Sequence, residues 1–352
     1  MKKIAIVTIT NGGLNFGNRL QNYALQCALE SFSLDVETIF SFKNYNNNLF
    51  LSIIRRWLKF IVKSSGRAKC FNSFNKKYIR RAKRYRYDGL NDDSFNDDYN
   101  IFIAGSDQIW NPYFHFNSDF EFLTFADQNK RFSYAASFGA DDIPDEYKTQ
   151  YAKKLTGMKH ISVREDRARE IVKELTNCDA DVHIDPTMLL DAEHYAALEI
   201  KPDRPLPEKY LLVYFLGFIK PEYSAYINNV SNETNLPVLE LSESINTPFY
   251  HTGPQQFIYL LRHADYICTD SYHGTIFSII FTKSFTTFCR NGSDMPMMSR
   301  IETLLSKFGL QNRLYDAHET IKTVAMSYEN VNKILSIERT KAMKYLRGIV
   351  SE

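Results

Sequence analysis

The chain has 352 residues, 44% of them hydrophobic and 24% charged, with a formal net charge of +2. That length can hold two ordinary domains, each with its own core, and the composition is that of a globular protein. The near-neutral balance excludes bulk attraction to nucleic acid or membrane, and no run approaches the roughly 18 apolar residues that a bilayer span requires. The five cysteines, Cys27, Cys70, Cys178, Cys268 and Cys289, show no CxxC pair or other metal-ligand spacing. An odd, scattered set suits a reducing cytoplasm and points to no metal site.

The start, MKKIAIVTIT, briefly resembles a signal peptide. Its apolar run is too short, and Asn11, Gly12 and Gly13 end it without a cleavage-site pattern, so Ile4 to Ile9 is expected to be a first strand. A helix carrying Tyr23, Ala24, Cys27 and Ala28 begins near Asn22, and TNGGLNFGNRLQ lies between them as a loop. The loop has neither the dinucleotide fingerprint nor a P-loop lysine. Asn15, Asn18, Arg19 and Gln21 are a denser hydrogen-bonding set than a turn needs, and they read either as ligand contacts or as turn and cap chemistry.

Val36 to Phe40 reads as a second strand. From Thr38 to Tyr87 there is no acidic residue, and Phe50, Ile53, Ile54, Trp57, Leu58 and Ile61 fall on one helical face opposite Arg55, Arg56, Lys59 and Lys63. Such a basic amphipathic helix either docks on an anionic membrane surface or packs its apolar face inside its own domain. Asp88, Asp92, Asp93, Asp97 and Asp98 follow and can neutralise part of the patch. Tyr99 to Ala104 is a strand ending in GSDQIWNP, and residues just beyond strand ends line the ligand crevice of an open α/β sheet. Ser106, Asp107, Gln108 and Asn111 suit sugar hydroxyls there and Trp110 suits a sugar's apolar face, or the segment is a turn closed by Pro112. Phe132 to Ser137 and Ile161 to Glu165 are further strands. Arg164 at the second strand's end reads either as a bidentate clamp for a carboxylate or phosphate, or as half of a local ion pair.

Val182 to Ile184 and Asp185-Pro186-Thr187 close a first half, and Pro202, Pro205 and Pro207 mark a linker. The alternation then restarts, with strands at 211–216, 238–241 and 285–288 and helices at 222–234, 255–262, 298–308 and 327–348. Within this half, Ala264 to Thr269 is a buried strand that feeds a helix through Asp270, Ser271 and Tyr272. His273, Gly274 and Thr275 sit at that helix N-terminus, which favours an anion, unless the turn is simply a capped one with a satisfied histidine. The expected fold is α/β, with two doubly wound Rossmann-like domains over residues 1–200 and 208–352, facing a cleft.

The segments NFGNRLQNYAL (15–25), GSDQIWNP (105–112), YAASFG (134–139), VRE (163–165), DPT (185–187) and TDSYHGTIFS (269–278) together resemble the polysaccharide pyruvyl transferase family. The resemblance implies a fold similar to two-domain GT-B glycosyltransferases, and transfer of a pyruvyl group from phosphoenolpyruvate onto a sugar as a ketal, in exopolysaccharide or capsule synthesis. His273 and Arg164 are then the expected catalytic groups, and the donor contacts are Ser271, His273, Gly274, Thr275 and Arg290 of the second domain together with Arg164 of the first. Asn15, Asn18, Arg19, Ser106, Asp107, Gln108 and Asn111 then form the acceptor side in the first domain. No metal or cofactor is implied beyond phosphoenolpyruvate as co-substrate, and no nucleic-acid partner. The acceptor would be a saccharide, free or lipid-linked at the inner membrane face. Some members carry an arginine two residues before the histidine, where this chain has Ser271, so Arg164, Arg290 or Arg300 would have to replace it. Two other readings stay open. One is a glycosyltransferase with a nucleotide-sugar donor, for which Glu240 and Glu243 could hold the ribose. The other is a non-catalytic carbohydrate-binding protein.

Overall fold

The computed structural model describes residues 2–10, 13–40, 66–82, 94–114, 119–242, 247–291, 298–317 and 326–351. The expected basic helix at 50–63 and Glu243 lie outside the described residues. Two compact units make up the chain: Met1–Leu189 with Lys341–Glu352, and Leu190–Thr340.

The first unit contains β1 (Lys3–Val7), α1 (Phe16–Glu30), β2 (Asp35–Ile39), α2 (Gly66–Tyr78), α3 (Ser94–Asp98), β3 (Ile101–Ala104) and β4 (Arg131–Ser133). It continues through α4 (Asp145–Thr156), β5 (Ser162–Val163), α5 (Asp166–Thr176) and β6 (Asp181–Val182). Ile4, Ala5, Ile6 and Val7 are all fully buried, as are Phe102, Ile103 and Ala104. Strands apolar on both faces must be covered on both, which is why they pair in parallel. The order is β2-β1-β3-β4, with Ile6 opposite Thr38 on one side and Ile103 on the other. A parallel β5-β6 pair continues it through bridges from Phe132 to His160 and from Ala136 to Val163. Strands β4, β5 and β6 are shorter than the apolar runs suggest. At Ala135 the backbone turns to φ 48°, which breaks the ladder inside FSYAAS.

Helix α1 begins six residues before the position that apolar spacing marks, because Asn15 caps it: its side chain accepts from the Asn18 backbone N–H at 3.1 Å. Asn18, Arg19 and Gln21 are thus helical rather than part of a loop. Two arginines of the acid-free segment are also used internally. Arg67 is buried over the Phe16 ring, and Arg80 pairs with Asp35 at 2.6 Å.

The second unit contains α6 (Ala192–Ala196), β7 (Leu211–Tyr214), α7 (Pro221–Thr234), β8 (Val238–Glu240), α8 (Pro254–His263) and β9 (Tyr266–Thr269). After these come α9 (Tyr272–Ile280), β10 (Ser284–Thr287), α10 (Met298–Lys307) and α11 (Glu329–Ser351). Its parallel sheet has the order β10-β9-β7-β8, with Val213 opposite Cys268 and Glu240.

The unit boundaries differ from a division at the proline-rich linker, and the contacts explain why. Residues 190–200 join the second unit: Tyr195 packs edge-on to Phe277, Gln255 donates to the Leu198 carbonyl, and Arg262 pairs with Glu199. The end of α11 joins the first. There Lys2 Nζ donates to the Val350 carbonyl, Tyr345 Oη donates to the Ser133 carbonyl, and Arg347 lies over Phe32.

Candidate functional site

In each unit the strand order reverses at one point: between β1 and β3 in the first, between β7 and β9 in the second. Loops leaving two such strands diverge to opposite sides and open a crevice at their carboxyl ends. The sequence-selected residues cluster around these two points.

In the second unit, Asp270 directly follows β9 and is 1% exposed. Its carboxylate accepts the backbone N–H groups of Leu216 (2.7 Å) and Gly217 (2.8 Å) from the loop after β7. Arg290, just beyond β10, brings Nε to 3.6 Å from the same carboxylate and donates from Nη2 to the Asp270 carbonyl. Burial pushes the Asp270 carboxyl above its ordinary pKa, while Arg290 and the two backbone donors pull it down. Gly217 has to be glycine here, because a Cβ would lie 2.3 Å from the Asn291 carbonyl oxygen and 2.8 Å from Arg290 Cγ.

Ser271 caps α9, its hydroxyl accepting from the Gly274 N–H at 3.2 Å. His273 therefore sits in the first turn, 8% exposed and edge-on to Tyr272 with centroids 5.5 Å apart. The guanidinium of Arg300, on α10, lies 5.5 Å from the Tyr272 ring centre. A helix N-terminus, an imidazole and two arginines thus attach to one strand end, and that set suits a doubly anionic ligand.

Two neighbours have internal tasks. The Gly274 position lets α9 approach β9, since a Cβ would fall 2.5 Å from Thr269 Oγ1. The Thr275 hydroxyl donates to the Ser271 carbonyl and bonds Thr287 Oγ1 at 2.9 Å. Expectations that Gly274 admits a ligand and that Thr275 contributes a hydroxyl to it are revised accordingly.

In the first unit, Arg19 is 8% exposed, with Nη2 donating to the Thr10 and Gly13 carbonyls. Its Nε is buried without a hydrogen-bond partner among the described residues. Burial lowers this guanidinium to about 10, helped by Arg81 and opposed by Asp107. Asp107 follows β3 with φ 73°, a left-handed backbone that presents its carboxylate to the Gln108 N–H. Thr8, Ser106 and Gln21 tie the loop after β1 to the loop after β3: Thr8 Oγ1 donates to the Ser106 carbonyl and accepts from Gln21.

Arg164 differs from expectation. Its side chain has no exposed surface, and Nη1 meets Asp185 Oδ2 at 2.6 Å, with Asp107 at 3.6 Å and Glu165 at 3.9 Å. Asp185 also accepts from Ser106 Oγ and from both the N–H and the hydroxyl of Thr187. A guanidinium held among three carboxylates is a buried tie between strand ends, so the clamp reading is replaced by a positioning one. Trp110 is also interior: fully buried, stacked on Phe122 and donating from Nε1 to the Glu121 carbonyl. It offers no platform to a sugar. Asn111 is buried as well, donating to Gln108 Oε1 and accepting from the Tyr113 N–H. Gln108 is half-buried and Asn15 is partly exposed at the cap. Glu240 is exposed at the end of β8.

Sequence reading missed Asp270, taken there only as part of the connection from strand to helix, and Gly217. The signal was present in each: a carboxylate and a lone glycine directly after buried strands. Among the described residues no group of three or more His, Cys, Asp or Glu side chains could hold a metal ion, and no helix is long and apolar enough to cross a membrane.

No curated protein matches the chain. Among solved structures, UDP-GlcNAc 2-epimerase from Methanocaldococcus jannaschii superposes with a TM-score of 0.52 at 10% identity, covering 100% of both chains. A protein from Listeria monocytogenes described as a UDP-N-acetylglucosamine 2-epimerase gives 0.51 at 12% identity, over 97% of this chain and 90% of that one. At such identities the likeness is one of fold, and the fold is GT-B. The sequence pattern of the family described as polysaccharide pyruvyl transferase matches residues 15–290, which takes in β1-to-β3 and β7-to-β9 crevice residues alike. This chain belongs to the polysaccharide pyruvyl transferase family.

Proposed function

We propose that the protein transfers a pyruvyl group from phosphoenolpyruvate to two hydroxyls of one sugar in a polysaccharide or its lipid-linked precursor. The enol carbon C3 takes up a proton to become the methyl group, and two acceptor oxygens bond to C2. Phosphate leaves, and the two hydroxyl protons pass to C3 and to the leaving phosphate. The net products are a cyclic ketal and inorganic phosphate. The observation that carries this reading is the second unit's strand end, where His273 stands in the first turn of α9, Arg290 bonds Asp270 and Arg300 lies over the Tyr272 ring. Phosphoenolpyruvate presents a phosphate and a carboxylate, and a helix N-terminus with arginine donors matches both. His273 is the group to move the proton, a contribution of roughly 10²- to 10⁴-fold. Arg290, with 21% of its side chain exposed, takes over the donor role first assigned to Arg164. Asn15, Asn18, Arg19, Asp107 and Gln108 hold the acceptor.

The test is phosphate release from phosphoenolpyruvate with a panel of sugar acceptors, run beside UDP-sugars as rival donors. Acceptor-dependent release that His273→Ala lowers by about two to four orders of magnitude supports the proposal. Turnover of UDP-sugars alone overturns it.

A further inference from the structure

Helix α4 and the residues after Asn111 line an open cavity of about 410 Å³ in the first unit, and none of its lining residues has been given a role above in binding donor or acceptor. One wall is the face of α4 carrying Tyr147, Gln150, Tyr151 and Lys154, which share that face by their three- and four-residue spacing. The opposite wall is Pro112, Tyr113 and Phe114. Tyr113 is 50% and Tyr147 39% exposed, two of the few large apolar side chains left in solvent among the described residues. Neither phenol has a hydrogen-bond partner there, although buried tyrosines elsewhere in the chain do. The floor is fixed: Tyr151 Oη donates to the Trp110 carbonyl, and Lys154 is held by Asp119 at 2.9 Å over the Phe122 ring. The mouth is fixed too, since Asn111 bonds both the Tyr113 N–H and Gln108.

We infer that this cavity binds a saccharide segment, stacking pyranose faces on Tyr113 and Tyr147 and reading hydroxyls with Gln150, Glu146 and the two phenols. Ring-sized apolar faces beside neutral and charged hydrogen-bonding groups match a sugar, which is apolar on one face and polar at its rim. A volume of this size takes one or two sugar rings, within the range of small-ligand sites. The cavity is concave, unlike the flat patches of protein interfaces. Through Asn111 it is joined to Gln108, so residues of the acceptor loop form the end of one wall. The inference rests on the saccharide half of the proposed function and not on its donor.

The experiment is binding without phosphoenolpyruvate, by saturation-transfer NMR and calorimetry, using cellohexaose, maltohexaose, laminarihexaose and chitohexaose as probes. The proteins are the full chain and its Tyr113→Ala and Tyr147→Ala variants, with unchanged thermal unfolding as the fold check. At least one hexasaccharide is expected to bind the wild-type chain, and each variant to bind it about tenfold or more weakly, the loss of one aromatic stacking contact. No binding of any probe at about 10 mM, roughly ten times the Kd of a weak 1 mM site, overturns the inference. Equal binding by wild type and both variants overturns it as well. Because the donor is absent, failure of phosphate release leaves this result intact, and the reverse also holds.

Discussion

Asp185→Asn is the sharpest test of the reading that Arg164 is a structural tie. The carboxylate is fully buried and accepts from Arg164 Nη1, Ser106 Oγ and both donors of Thr187. Asparagine keeps one oxygen for Thr187 but turns an NH₂ toward Arg164 and Ser106, setting donor against donor. Removing one partner of a buried ion pair costs about 3–5 kcal/mol. Asp107 and Glu165 remain within 4 Å of the guanidinium, so the lower end applies, about 3 kcal/mol. For a unit of this size each kcal/mol moves the midpoint by about 2–4 °C, which gives a drop of about 6–12 °C. Trp110 is fully buried in the first unit, so its tryptophan emission during heating reports that unit. The double change Arg164→Met with Asp185→Leu should recover much of the loss, because a buried pair replaced whole is often neutral. A midpoint shift below about 2 °C for Asp185→Asn would refute the reasoning, given that scale.

Gly274→Ala should cost the second unit about 1–3 kcal/mol in urea unfolding, since the new methyl collides with Thr269 Oγ1; an unaffected midpoint would mean that α9 can shift at no cost. Arg290→Lys keeps the charge but loses the fork, and should raise the KM for phosphoenolpyruvate more than the acceptor KM. Because the Asp270 carboxyl is raised, the folded chain binds its proton more tightly than the unfolded chain does. Stability then falls as pH rises from the ordinary value of 3.8 through the raised one, and Asp270→Asn should remove that component of the slope. Iodoacetamide should modify exposed Cys178 in the native protein and leave Cys268 untouched until denaturant is added, as peptide mapping would show; burial raises the Cys268 thiol pKa well above its ordinary value.

What the sequence makes legible follows from the range of the forces involved. Runs such as IAIV and IFIA show buried parallel strands directly, because burial on both faces leaves no alternation to misread. The turn at Ser271–Thr275 is legible for the same reason: a cap and the change from strand to helix spacing are local events. The fate of Arg164 is not local. Whether an arginine at a strand end faces solvent or three carboxylates depends on Asp107 and Asp185, 57 and 21 residues away, and no spacing rule brings them together. Trp110 misleads in the same way, since its partner Phe122 lies across a loop. The early start of α1 was readable from Asn15, had its capping preference been weighed against the glycines around it.

The chain's route through its two units sets an order on synthesis. A ribosome releases the first unit's strands early, yet residues 341–351, which join that unit beside Ser133, His183 and Phe32, emerge only after the whole second unit. The second unit, continuous from Leu190 to Thr340, has all its strands outside the tunnel before then. The usual N-terminal-first sequence of domain completion is therefore reversed, and the half-finished first unit waits with an uncovered surface for residues 341–351. A nascent chain held so that residues up to 340 have left the tunnel but 341–351 have not should protect the second unit from protease while the first stays sensitive.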